Sequence, residues 1–107
     1  MAYNIKQNDT SPSLSVQLLD GAQQIIDLSG ASAKFFMKIA GSTTIAVDAP
    51  AVITNASEGR VEYEWSAGDT ATAANYQGEF QITFINGTVE TFPNNKYITI
   101  RVLPEIG

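Results

Sequence analysis

The 107-residue chain contains no cysteine and no histidine. Their absence removes disulfides, thiolate nucleophiles, Cys/His zinc sites, His-based triads and imidazole acid–base catalysis from this polypeptide. Most mechanisms open to a small enzyme go with them. Positive charge is scarce as well: six Lys and Arg stand against eleven Asp and Glu, a formal net charge of −5. Lys6, Lys34, Lys38, Arg60, Lys96 and Arg101 are scattered along the sequence, which opposes the clustered basic footprint that phosphate-backbone binding requires. No direct nucleic-acid partner is expected. Long apolar runs are missing, since no window approaches the roughly 18–20 apolar residues that cross a bilayer. The start, Met1 to Lys6, lacks the basic-then-apolar order of a secretory leader, so a cytosolic protein without a membrane segment is expected.

What is present is a globular composition, 44% hydrophobic and 16% charged, far from the low-hydrophobicity, high-charge corner of disordered chains. Period-two alternation dominates, broken by Gly, Asn, Asp and Pro at short intervals, as in sheets with one dry and one wet face. Leu14, Val16 and Leu18 alternate with polar residues up to Asp20-Gly21. Ala33, Phe35, Met37 and Ile39 alternate with Lys34, Phe36 and Lys38, and Gly41-Ser42 turns the chain into residues 43–47 as a hairpin. A separate run, 51–54, ends at Ser57-Glu58-Gly59. Val61, Tyr63 and Trp65 then point inward against Arg60, Glu62 and Glu64, with Trp65 as core anchor. Alternation resumes from Tyr76 to Phe84, and Asn86-Gly87 predicts a two-residue type I′ hairpin returning through Val89 to Phe92. Ile98, Ile100 and Val102 form the last strand. This pattern predicts one domain over 1–107, an immunoglobulin-like two-sheet antiparallel β-sandwich of about eight short strands. Residues 1–12 are an N-terminal arm, an edge strand or a contact made in an assembly. Tyr76, seven residues after Asp69, has the spacing of a tyrosine corner or is simply a half-buried strand aromatic.

Little in the sequence points to catalysis. Glu62 and Glu64 project from one strand face about 7 Å apart, but a flat solvated face offers no desolvated cleft for acid–base work. Loops carrying Asp9, Asp20, Asp27, Asp48 or Asp69 can bind calcium only if the fold brings them together, and no Asp-x-Asp run is present. No cofactor or metal site is therefore assigned. The Asn-x-Ser/Thr triplets at Asn8, Asn55 and Asn86 read as turns. Tyr3, Phe36, Phe92 and Tyr97 fall off the inward register and, if exposed together, suit sugar stacking. Phe36, between Lys34 and Lys38, leaves three readings open: the face is covered by another chain, covered by a loop, or the register is wrong.

The wording of several blocks carries more than their periodicity. Residues 6–14 (KQNDTSPSL), 27–31 (DLSGA), 59–65 (GRVEYEW) with Gly68-Asp69-Thr70, 76–80 (YQGEF) and 91–94 (TFPN) resemble, in order, the N-terminal domain of the phage upper baseplate protein family. The resemblance runs from about Ile5 to Val102, with Asn8 and Asn75 where the family looks glycine-like. It implies a β-sandwich of a tailed-phage virion, assembled in the host cytoplasm, with no catalytic role. Such a module attaches to baseplate, tail, neck or head components. Its implied partners are other virion proteins, in a multicopy homo-oligomeric or symmetric assembly. Alternatives are a capsid decoration protein or head-fibre base, and a carbohydrate-binding or adhesin module. The expected partner-binding residues are Tyr3, Ile5, Lys6, Asn8 and Asp9 of the N-terminal segment, with Phe36, Phe92 and Asn94; Asp9 and Asn94 also suit turn caps, and Phe92 the core.

Overall fold

The computed structural model describes residues 2–94 and 96–106. It is all-β, with strands β1 (Ala2–Lys6), β2 (Leu14–Gln17), β3 (Ser32–Ile39), β4 (Ile45–Asn55), β5 (Arg60–Tyr63), β6 (Ala74–Thr83), β7 (Val89–Phe92) and β8 (Ile98–Leu103), plus one 3₁₀ turn at Ala56–Glu58. The strands run in the order β1-β8-β6-β3-β4-β5-β2, with β7 also on β6. The expected all-β fold of about eight short strands is what forms. Alternation sets the register: Phe35 lies opposite Phe80 and Ala49, while Phe36 lies opposite Glu79 and Asp48. One face of each strand is thereby dry.

β4 shapes the whole. From Ile45 to Ala51 it pairs with β3, and from Val52 to Asn55 with β5, so a single strand belongs to two ladders. The path folds there into a large layer (β1, β8, β7, β6, β3 and the first part of β4) and a small layer (the rest of β4, β5 and β2). The two runs expected around Pro50 are therefore one strand. Its first part pairs on one side only, an edge position where proline is tolerated.

Two further expectations are corrected. The sheet is not wholly antiparallel: β1 runs parallel to β8, with Ala2 opposite Thr99 and Lys6 opposite Leu103. This resolves residues 2–6 as an edge strand. The Asn86-Gly87 turn is not type I′, because Gly87 (φ 88°) has positive φ and Asn86 does not. Gly87 N–H donates to the Phe84 carbonyl and Phe84 N–H to the Thr88 carbonyl, both at 2.8 Å, giving a three-residue loop that ends in a left-handed glycine. Asn86 acts through its side chain instead, accepting from Thr88 N–H and hydroxyl. Asn55 does the same for Ser57 and Glu58, so both triplets serve turns.

The core lies between the layers. Phe35 on β3 stacks on Tyr63 at 4.7 Å and meets Phe80 at 5.0 Å, and Trp65 stands edge-on to both Phe35 and Tyr63. β5 ends before Trp65, yet Trp65 is buried as expected. The Tyr63 hydroxyl donates to Asp69, and burial beside that carboxylate pushes its pKa up to about 12. Tyr76, at the start of β6, donates to the Thr72 carbonyl at 2.7 Å. This is the tyrosine-corner bond, pinning the crossover that leads from β5 into β6. Tyr76→Phe is expected to lower stability by about 1 kcal/mol, read as an earlier denaturation midpoint with an unchanged slope; an unmoved midpoint would mean the bond adds nothing.

Candidate functional site

Two surfaces gather the residues expected to bind partners. The first is the N-terminal edge. Among the described residues β1 is terminal in the strand order and pairs only with β8, so its other side offers main-chain donors and acceptors to an incoming strand. Tyr3 and Ile5 face inward, opposite Ile100 and Val102. Ile5 is 5% exposed and belongs to the core, a correction that follows from the parallel register. Tyr3 is half-buried; its ring lies 6.1 Å from Trp65, its hydroxyl donates to the Pro12 carbonyl, and Trp65 Nε1 donates back at 3.5 Å. Lys6 is exposed. Asn8 and Asp9 form the bend that follows, exposed but locally tied. Asn8 has φ 68° and donates through Nδ2 to Glu105 at 2.6 Å, and the Asp9 carbonyl accepts from the buried Thr70 hydroxyl at 2.8 Å. Asparagine takes the left-handed region more easily than other side-chain-bearing residues, which explains why it tolerates a glycine-like position. No left-handed φ is found at Asn75.

The second surface is the outer face of the large layer. Lys34, Phe36 and Lys38 of β3 lie opposite Gln81, Glu79 and Gln77 of β6, and Gln77 lies opposite Thr99 of β8. Phe36 points outward, as its alternation with Phe35 and Met37 expects, and is half-buried, with Lys34 Nζ 5.2 Å from its ring centroid. Lys34 also pairs with Asp48 at 2.8 Å. Both partners of that ion pair are about half exposed, so it contributes about 0–1 kcal/mol. Phe36, Ile45 and Tyr97 line a shallow groove of about 260 Å³ with Gln77, Glu79 and Gln81. Ile45 is 57% and Tyr97 48% exposed.

Phe92 is not on this surface. It is 1% exposed and lies opposite Phe80 on the inward side of β7, because Thr91 takes the outward position. Asn94, just beyond, is exposed and caps its own turn, donating to Glu90 at 2.9 Å and the Thr91 carbonyl at 3.1 Å. The four aromatics singled out for sugar stacking therefore separate, and only Phe36 and Tyr97 share the groove. Ile45 is a groove residue that the sequence did not flag, and Tyr97 was flagged only for sugar stacking. The outward register of Lys38 could have flagged Ile45, its neighbour on β4; nothing local could have brought Tyr97 beside Phe36.

The loop carboxylates serve separate turns. Asp20 accepts from Ala22 and Gln24 N–H, and Asp69 from Ser66 N–H. Asp27 accepts from Ser29 N–H and hydroxyl, which hold its carboxyl below the usual range. Among the described residues no three His, Cys, Asp or Glu side chains come together.

Residues 2–96 match the family described as BppU N-terminal domain. No curated protein matches the chain.

Proposed function

Because the chain belongs to the BppU N-terminal domain family, a family of phage baseplate structural domains, we propose that it is a non-enzymatic attachment module that joins other virion proteins through its N-terminal edge. The observation that carries this reading is β1, a terminal strand with one side unpaired among the described residues. An extended segment of a neighbouring virion protein adds to such an edge by main-chain hydrogen bonds, with specificity coming from alternate side chains. Lys6 and Asn8 sit at the end of that edge, where they address the incoming strand. Nothing in this role needs a reactive side chain, in keeping with a chain that has neither histidine nor cysteine.

Amine-reactive cross-linking of intact, purified particles, followed by peptide mass spectrometry, tests it. Lys6 is expected to link to a different virion protein, and truncation of that partner is expected to release this chain from the particle. Absence of the chain from purified particles ends the proposal. Links from Lys6 confined to this same chain would end the edge assignment.

A further inference from the structure

The cations that look scattered in the sequence are gathered by the fold. Lys34 and Lys38 on β3, Arg101 on β8 and Lys6 on β1 occupy the outward register of the large layer. Lys96 lines an adjoining hollow that shares Glu79 and Tyr97 with the groove. Five of the six cations thus lie on or beside one face, with Asp48 and Glu79 among them and Glu105 and Glu90, bonded to Asn8 and Asn94, at its margins. The opposite side of the sandwich has the reverse sign. There Glu62 projects from β5, Glu64 is exposed just past its end and Glu58 lies in the preceding turn, while Arg60 is the single cation, engaged with Glu58 at 3.5 Å. A molecule of net charge −5 therefore carries one positive face and one concentrated negative face, back to back.

Each face also has an apolar component. Phe36, Ile45 and Tyr97 lie among the cations. Val52, 56% exposed, stands opposite Glu62 on the acidic side. We infer that the outer face of the large layer docks the outer face of the small layer of a second copy of this chain, head to tail. Opposed charge sets the orientation, and the apolar side chains supply the buried centre that a charged rim needs. The molecule extends 45 × 25 × 22 Å, so a lengthwise face exceeds the roughly 800 Å² that each partner contributes to a standard interface. Because the two surfaces lie on opposite sides of one subunit, the contact is heterologous, and copies extend it into a ring or an open stack. The face used differs from the β1 edge, so the contact stands or falls independently of the baseplate reading.

The test is a mass measurement on the purified chain. Sedimentation equilibrium at low ionic strength, up to about 1 mM protein, is expected to give a mass that rises with concentration. Addition of about 1 M salt, which shortens the Debye length to about 3 Å, is expected to return it to the 11.5 kDa of one chain. K96E/R101E reverses charge on the first face and E62K/E64K on the second. Each double variant alone is expected to stay at the mass of one chain. Mixed in equal amounts they are expected to associate again, because each then meets a face of opposite sign; that recovery also excludes misfolding as the cause of the losses. Wild-type chain that stays monomeric at low salt overturns the inference. So does association that survives K96E/R101E, or a mixture that fails to recover. Capture of a short DNA duplex by the monomeric wild-type chain, lost in K96E/R101E, would assign the basic face to nucleic acid and overturn it equally.

Discussion

Phe35→Ala is expected to lower folding stability by about 3–5 kcal/mol. Phe35 has no exposed surface, and its ring meets Tyr63, Phe80 and Trp65 within 6.0 Å. Those neighbours come from β6 in the large layer and from β5 and the residues just past it, so no single element can move in to fill the space. Gly78 adds to the constraint: a methyl group there would sit 2.5 Å from Ile100 and 3.0 Å from Phe35, which shows how closely β6 approaches the ring. Loss of the ring also removes aromatic pairing worth about 0.5–1.5 kcal/mol per partner beyond buried area. For a domain of this size the melting temperature should fall by about 15–30 °C, measured by circular dichroism or calorimetry. A shift below about 5 °C would show that the layers relax around the gap. Phe35→Leu, which keeps most of the volume, should lose much less.

Gly59→Ala should cost about 3 kcal/mol, from a left-handed side chain and from overpacking together. Gly59 follows the 3₁₀ turn with φ 67°, and an added Cβ would lie 2.7 Å from the Ile26 carbonyl oxygen and 3.0 Å from that of Leu18. Both obstacles are backbone. Leu18 N–H donates to Gly59 at 2.8 Å and Ile26 N–H to Leu18 at 3.3 Å, so three segments converge on one hydrogen-bonded point and none can withdraw without breaking a bond. Gly21→Ala is the matched control, because it has open space around it and no positive φ. Comparison of their urea midpoints separates local crowding from the general cost of replacing glycine. Equal midpoints would remove the special role given to Gly59.

Strand faces were legible in the sequence wherever one side is dry. Phe35, Val61, Trp65, Phe80 and Ile100 were placed inward by alternation and are buried. Turns were found but not their geometry: Asn86-Gly87 marks a hairpin, yet the extra residue Ile85 converts it to a loop with a single left-handed position. Strand partners were the harder problem. Nothing near Tyr3 or Ile5 reveals a parallel neighbour ninety-seven residues away at Ile100 or Val102, and without that neighbour their inward direction cannot be known. The same ignorance left Phe92 open between surface and core, since alternation there was too short to set a phase. For the surfaces, Phe36 was identifiable from its two flanking lysines. The gathering of Lys6, Lys34, Lys38 and Arg101 was not, since it depends on β1, β8, β6 and β3 lying side by side.

The parallel pairing of β1 with β8 gives the domain a mechanical direction. With Ala2 beside Thr99 and Lys6 beside Leu103, tension applied through the leading end of β1 and the trailing end of β8 pulls the two strands past one another along their length. Every rung of that ladder is loaded at once, where a hairpin pulled from its open end would yield one rung at a time. A tether threaded through this domain would therefore meet its resistance at the first and last strands, before the interior bears any strain.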